Sequence, residues 1–284
     1  MLSLVIFGTF FALALAGVPL MVSLLATTVG VVVGYGMQYP LESVFLSFIG
    51  GVEPFILIAV PLFVFTGELL AQGGVGKRIV AFANVLFGWL PGGLGVVTVM
   101  SCLLFGGVSG SAIADTAAIG SLVIPAMLAK GYSRGFAAAL VAVAGTLALL
   151  MPLSIPFLVY AFISGVSMRT LSMAGLLPAI ISAIALVAVC MWHGRKTGVD
   201  PGGTPASLGA IAQAAYSAGP ALLMPIFIVG GIWSGYFTPT EAAAVAVVYG
   251  LVISMFFYRD MTWKQIPGLL LKAFMTSATV MLVI

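Results

Sequence analysis

The chain has 284 residues, 62% of them hydrophobic and only 6% charged. A mean hydropathy of +1.28 leaves too few polar faces for a soluble fold of this length and reads as a series of membrane spans. The net charge of +3 comes from ten scattered basic residues, which fits orientation in a bilayer and not nucleic-acid binding; the alternating ten-residue segments of a membrane β-barrel are missing.

In chain order, spans are expected at 4–27, 55–71, 136–163, 171–192, 221–236 and 242–258, with a last one beginning near Ala273. Amphipathic or polar connectors fall at 40–54, 73–91, 193–219 and 259–271. The first basic residue is Lys77, so the first apolar run has no positive flank and reads as a retained span rather than a cleaved signal. Cys102 and Cys190 lie in apolar segments and read as small packing residues. No CxxC and no metal-ligand cluster is present.

The most informative stretch is 106–120, GGVSGSAIADTAAIG, which is rich in small residues and carries one carboxylate, Asp115. It separates apolar arms at 95–105 and 119–128 that read as too short to span separately. Irregular backbone at membrane depth is tolerated only inside protein or along a cavity, and an ionisable group there marks an ion or substrate path by default. The expectation is a re-entrant hairpin over 93–128 with its tip at a binding site. After it, 136–163 is too long for one simple helix. Gly145-Thr146 and Pro152-Leu153-Ser154-Ile155-Pro156 interrupt it. Proline frees carbonyls in a helix, and a span unwound at mid-membrane offers them to a cation.

With the N-terminus placed in the cytoplasm, Lys77, Arg78, Lys130, Arg134, Arg195, Lys196, Arg259, Lys264 and Lys272 fall inside and only Arg169 outside, together with Glu42, Glu53 and Glu241. After Trp192 a second cycle begins: a connector, two spans, an arm at 262–271 and a new span. Residues 1–192 thus read as a first repeat and 193–284 as the start of an inverted second one, whose own hairpin is absent. Glu68 reads as an interfacial helix-end carboxylate. Thr240 is expected to cap a helix starting at Glu241, and Arg169 is a candidate contact for a partner protein.

Several stretches resemble one family. They are Ile58-Ala59-Val60-Pro61-Leu62-Phe63 with Gly67-Glu68, residues 105–120 with Pro125-Ala126-Met127, and Lys130-Gly131-Tyr132. Two more are Ala174-Gly175-Leu176-Leu177-Pro178 and the run from Gly231 through Phe237-Thr238-Pro239-Thr240-Glu241 to Ala243. The chain resembles the large, DctM-type membrane subunit of tripartite ATP-independent periplasmic (TRAP) transporters. The resemblance implies an all-α, inverted-repeat carrier of the elevator type in a bacterial or archaeal cytoplasmic membrane. It implies no cofactor, Na⁺ as coupling ion and a small organic acid as substrate. A periplasmic binding protein and a small four-helix DctQ-type subunit are the implied partners.

The positions implied for the cation and substrate site are Gly107, Ser109, Gly110, Ser111 and Asp115 at the hairpin, with Thr146, Pro152 and Ser154 in the broken helix. The chain departs from the family's Pro-Pro-Ser run by carrying Met151 at the first proline. A standalone ion–dicarboxylate symporter is the alternative. Gly107-Val108-Ser109-Gly110 also fits the nucleophile motif of rhomboid proteases. A serine nucleophile needs an adjacent base, and the only histidine, His193, sits in a basic segment far along the chain.

Overall fold

The computed structural model describes residues 2–36 and 40–282. It is helical, with no strand among the described residues, and its packing divides into two compact units. The first holds α1 (Leu2–Leu15), α2 (Leu20–Gly34) and α3 (Leu41–Val52), of which α1 packs on α2. The span expected at 4–27 is therefore two helices. Gly17 adopts a left-handed φ of +83° and Pro19 precedes α2. Apolar composition ran through this corner and hid it. The expected outer arm at 40–54 forms α3, with Glu42 in its first turn.

The second unit, Ile56–Phe274, holds the rest. It contains α4 (Ala59–Gln72), α5 (Val75–Phe87), α6 (Gly93–Ser109), α7 (Ala112–Ala129) and α8 (Arg134–Gly145). A 3₁₀ turn at Thr146–Leu150 leads to α9 (Ile155–Ser164), followed by α10 (Met168–Thr197), α11 (Leu208–Ser234) and α12 (Pro239–Val252). A π turn at Ile253–Phe257 ends α12. Then comes α13 (Ile266–Met281), whose residues from 275 belong to the first unit.

Among the described residues, six helical segments are long and apolar enough to cross a membrane: Phe55–Gln72, Ala112–Ala129, Arg134–Ser164, Met168–Thr197, Leu208–Ser234 and Pro239–Phe257. Their outer faces carry large exposed apolar side chains such as Leu177, Ile181 and Ile184 on α10 and Ile226 and Phe227 on α11. That pattern suits a lipid-facing surface.

α6 sits at the centre of this unit. Nearly all its residues are buried, and it packs against α5, α7, α8 and α10, as a helix apolar all round must. α12 lies close on α4 because its contact face is small. Ala242, Ala243 and Ala246 are buried, and the open side of Gly250 faces Thr66, Leu69 and Leu70.

Two helices extend beyond their expected spans. α10 runs to Thr197, and α11 begins at Leu208, upstream of the expected Ala221, carrying Pro220 and Pro225 inside it. Tyrosine hydroxyls reach the backbone beside the first proline: Tyr249 donates to Pro220 O at 2.8 Å and Tyr258 to Ser217 O at 3.0 Å. The cap of α12 also moves. Thr238, not Thr240, is the N-cap, and it forms a capping box with Glu241.

Three ion pairs join distant parts of this unit: Arg78–Asp260, Lys130–Asp200 and Lys272–Glu68. The basic member of each falls on the side that the charge count assigns to the cytoplasm. The helix-end carboxylate Glu68 is thus tied to α13.

Candidate functional site

α6 and α7 pack against each other as a hairpin over residues 93–129. The break between them is two residues, Gly110 and Ser111, not the fifteen-residue irregular tip that the composition suggested. Small residues at 106–109 stay helical because their neighbours cover them, and 112–120 does so because it is rich in alanine behind the Ser111 cap. At about 1.5 Å per residue the arms are roughly 25–27 Å long, close to the thickness of a bilayer core, so the expectation that they are too short to span separately does not hold: the helix continues through the small residues, and Ala112–Ala129 alone is long and apolar enough to cross.

The turn has a clear local cause. Gly110 caps α6 with a φ of +60°, a left-handed conformation that glycine adopts without cost. Ser111 then caps α7, its hydroxyl accepting from Ala114 N at 3.3 Å.

The tip rests on the break of the following helix. The 3₁₀ turn ends at Leu150, and α9 starts at Ile155 with Ser154 as N-cap. Ile155 N donates to Gly110 O at 3.3 Å. A Cβ on Gly110 would lie 2.3 Å from Leu153 O and 3.1 Å from Ser154 Cα, so only glycine permits this approach. Gly107 faces the Met151 methyl, with 3.1 Å from a built Cβ to Cε. Met151 therefore packs on α6 just before the turn.

Asp115 is wholly buried one turn below the tip. The Ser109 hydroxyl donates to its Oδ1 and itself accepts from Ser111 N. Its Oδ2 is buried without a hydrogen-bond partner among the described residues, and so is the hydroxyl of Ser101 on α6. Asp115 Oδ2 looks across Gly106, where a Cβ would stand 2.8 Å from it and 2.7 Å from Ala148 Cα. The carboxylate thus lies between the two arms and the 3₁₀ turn. An unpaired buried carboxylate oxygen is costly, and such a group invites a cation, a proton or a water.

Seven of the eight sequence-derived positions come together here: Gly107, Ser109, Gly110, Ser111 and Asp115 on the hairpin, and Pro152 and Ser154 in the break. Thr146 does not join them. It is exposed, and its hydroxyl donates to Val143 O at 2.7 Å. Its neighbour Gly145 is what meets the hairpin, because a Cβ there would stand 2.1 Å from Thr116 Oγ1. Pro152 O is partly occupied: Ser172 Oγ lies 2.9 Å from it and 2.7 Å from Met168 O, and its one proton is shared between the two carbonyls. Ser154 Oγ accepts from Phe157 N at 3.4 Å. The oxygens of the tip and break suit a hard cation by type. No group of three or more His, Cys, Asp and Glu side chains able to hold a metal occurs among the described residues.

Three features escaped sequence reasoning. Ser172 and Gly175 of α10 support the break; a Cβ on Gly175 would stand 2.7 Å from Leu150 O. Asp200, in the connector after α10, reaches the base of the hairpin. Its Oδ2 accepts from Leu94 N at 2.8 Å and its Oδ1 from Lys130 Nζ at 2.7 Å. Burial, together with the Asp200 charge, pushes the nearby Tyr132 phenol up and keeps its proton in place. These contacts link residues 70 and 106 positions apart, so no local pattern announces them.

His193 lies at this base as well, stacked on Phe136 at 3.8 Å. Ser109 is at the far end of α6, with its hydroxyl given to Asp115, so the pair required of a serine protease is not assembled. Arg169 lines a separate cavity of about 450 Å³ with Phe162, Ile232, Phe237 and Pro239.

The family model described as "Tripartite ATP-independent periplasmic transporter, DctM component" matches residues 7–284. The chain belongs to the DctM family. It is 36% identical over 97% of its length to the isethionate TRAP transporter permease protein DctMQ of Oleidesulfovibrio alaskensis, covering 43% of that protein. It is 37% identical over its whole length to the C4-dicarboxylate TRAP transporter large permease protein DctM of Rhodobacter capsulatus, covering 67% of it. With the Escherichia coli 2,3-diketo-L-gulonate TRAP transporter large permease protein YiaN the identity is 38% over 84% of the chain, which covers 56% of YiaN. The chain thus spans between 43% and 67% of the length of these DctM-family relatives, all of which are named as transporter permeases.

Proposed function

We propose that this chain forms the hairpin-bearing part of a TRAP large permease subunit and that it couples Na⁺ entry to uptake of a small organic acid. One observation carries the reading: the hairpin tip docks on a helix break through Gly110 and Ile155, above a buried carboxylate with one oxygen unpartnered. The cation is held by tip and break oxygens of Ser109, Gly110, Ser111, Pro152 and Ser154. Asp115 braces the tip through Ser109. Thr146 contributes at most through its backbone. The relatives named for isethionate, C4-dicarboxylates and diketogulonate support an organic anion as substrate.

In this reading the protein lies in a bacterial cytoplasmic membrane with its N-terminus inside, and the hairpin is re-entrant from the cytoplasm. Residues 1–192 form the first repeat, and 193–284 open the second. The moving body travels as an elevator, with a DctQ-type subunit and a periplasmic binding protein as partners. Transport by this route involves no enzymatic step.

The test is Na⁺-driven uptake by the complete permease in proteoliposomes with its partners. Ser109→Ala should raise the half-saturating Na⁺ concentration by about 5- to 150-fold, the equivalent of a lost buried polar contact of about 1–3 kcal/mol. Asp115→Asn should be mild and Asp115→Ala severe. Unchanged Na⁺ dependence in Ser109→Ala and Asp115→Ala together would place the site elsewhere.

A further inference from the structure

The hairpin's base is closed by a residue from outside it. α6 starts at Gly93 behind Gly92, an N-cap with no side chain to serve its first amides. Asp200 serves them from the connector: its carboxylate accepts from Leu94 N, and its backbone carbonyl accepts from Gly92 N at 2.8 Å. The other carboxylate oxygen takes Lys130, the residue that caps the end of α7. One buried side chain, only 6% exposed, thereby holds the start of one arm and the end of the other.

Its charge suits both ends, since an anion is stabilised at a helix N-terminus and Lys130 sits at a C-terminus. Asp200 also holds a left-handed φ of +51°, which aspartate tolerates better than most residues. The strap around it is tight. Gly203 N donates to Trp89 O at 3.0 Å, and a Cβ on Gly202 would lie 2.6 Å from the same oxygen.

We propose that Asp200 is a positioning residue: a clasp that sets the spacing of the hairpin's two feet and so holds its arms closed around the buried carboxylate near the tip. The clasp bears on transport only through the Na⁺ reading above, on which that part rests.

Cys102 supplies a readout independent of transport. It lies within α6 and is wholly buried. In the complete permease with every other cysteine replaced, including Cys190, the rate of Cys102 modification by N-ethylmaleimide reports opening of the arms. Asp200→Ala should speed it at least about tenfold, since both the cap and the ion pair go. Asp200→Asn keeps an acceptor for Leu94 and should stay within about threefold of the parent. Lys130→Met strands a buried carboxylate and should label faster than the double variant Asp200→Asn/Lys130→Met.

A parental rate in Asp200→Ala overturns the proposal. So does Asp200→Asn labelling as fast as Asp200→Ala, because general loosening of the connector would then be the cause. The half-saturating Na⁺ concentration for uptake, measured on the same variants, separates the two readings. If labelling and Na⁺ half-saturation rise together, both are supported. If labelling rises alone, the clasp stands and the Na⁺ site at the tip falls.

Discussion

Gly110→Ala is the sharpest perturbation of the docked tip. Alanine at a φ of +60° costs about 1–2 kcal/mol from its own backbone. The new methyl would also lie 2.3 Å from Leu153 O, 3.0 Å from Leu153 C and 3.1 Å from Ser154 Cα. All three are backbone atoms, so no side chain can swing away, and the break itself must shift. Forcing atoms into a packed site typically adds about 1–3 kcal/mol.

Gly165→Ala isolates this second contribution. Gly165 caps α9 in the same left-handed well, with φ at +70°, and nothing stands within 4 Å of a Cβ there. Gly110→Ala should therefore be less stable than Gly165→Ala by about 1–3 kcal/mol. At about 2–4 °C per kcal/mol, that is a melting temperature lower by roughly 2–12 °C. The assay is thermal unfolding of the purified protein in one detergent at one scan rate. Equal melting temperatures for the two variants, within about 1 °C, would refute the docking of the tip on the break.

Ser172→Ala removes a buried hydroxyl whose one proton Pro152 O shares with Met168 O, and should cost about 0.5–1.5 kcal/mol in the same unfolding measurement; no loss of stability would mean the break needs no such support. Gly145→Ala drives a methyl to 2.1 Å from Thr116 Oγ1, so it should destabilise, and adding Thr116→Ala should recover part of the loss; strictly additive effects would count against contact between these helices. Thr238→Ala loses half of the capping box on α12 and should cost about 0.5–2 kcal/mol, whereas a neutral result would return the start of that helix to Thr240.

The parts of the site legible in the sequence are those with local causes. Gly110 and Ser111 make a turn wherever an apolar helix needs one, and Pro152 with Pro156 ends one helix and starts the next. The hairpin limits of 93 and 128 consequently fall within a residue of α6 and α7. Extents were harder to read. Glycine and serine at 106–111 look like loop by propensity, yet tertiary burial keeps 106–109 helical, and the alanines at 112–118 favour helix on their own account. Pro220 looks like a helix start, yet α11 passes through it with tyrosine hydroxyls on the neighbouring carbonyls. Gly17 and Pro19 did carry a corner signal, which hydropathy averaged away. Asp200 and Ser172 were invisible because their partners lie 20 to 106 positions away.

The π turn at Ile253–Phe257 sets a reading frame of its own. It holds one more residue than an α turn would, so everything after it is rotated by about 100° relative to a straight continuation of α12. In that rotated frame the Tyr258 ring lies 3.8 Å beneath the Arg78 guanidinium, its hydroxyl reaches Ser217 O, and Asp260 pairs with Arg78. A one-codon deletion within 253–257 would regularise the helix and break all three contacts at once, while leaving composition and hydropathy almost untouched. The number of residues in that turn, more than their identity, keeps the end of α12 fastened to α5 and α11.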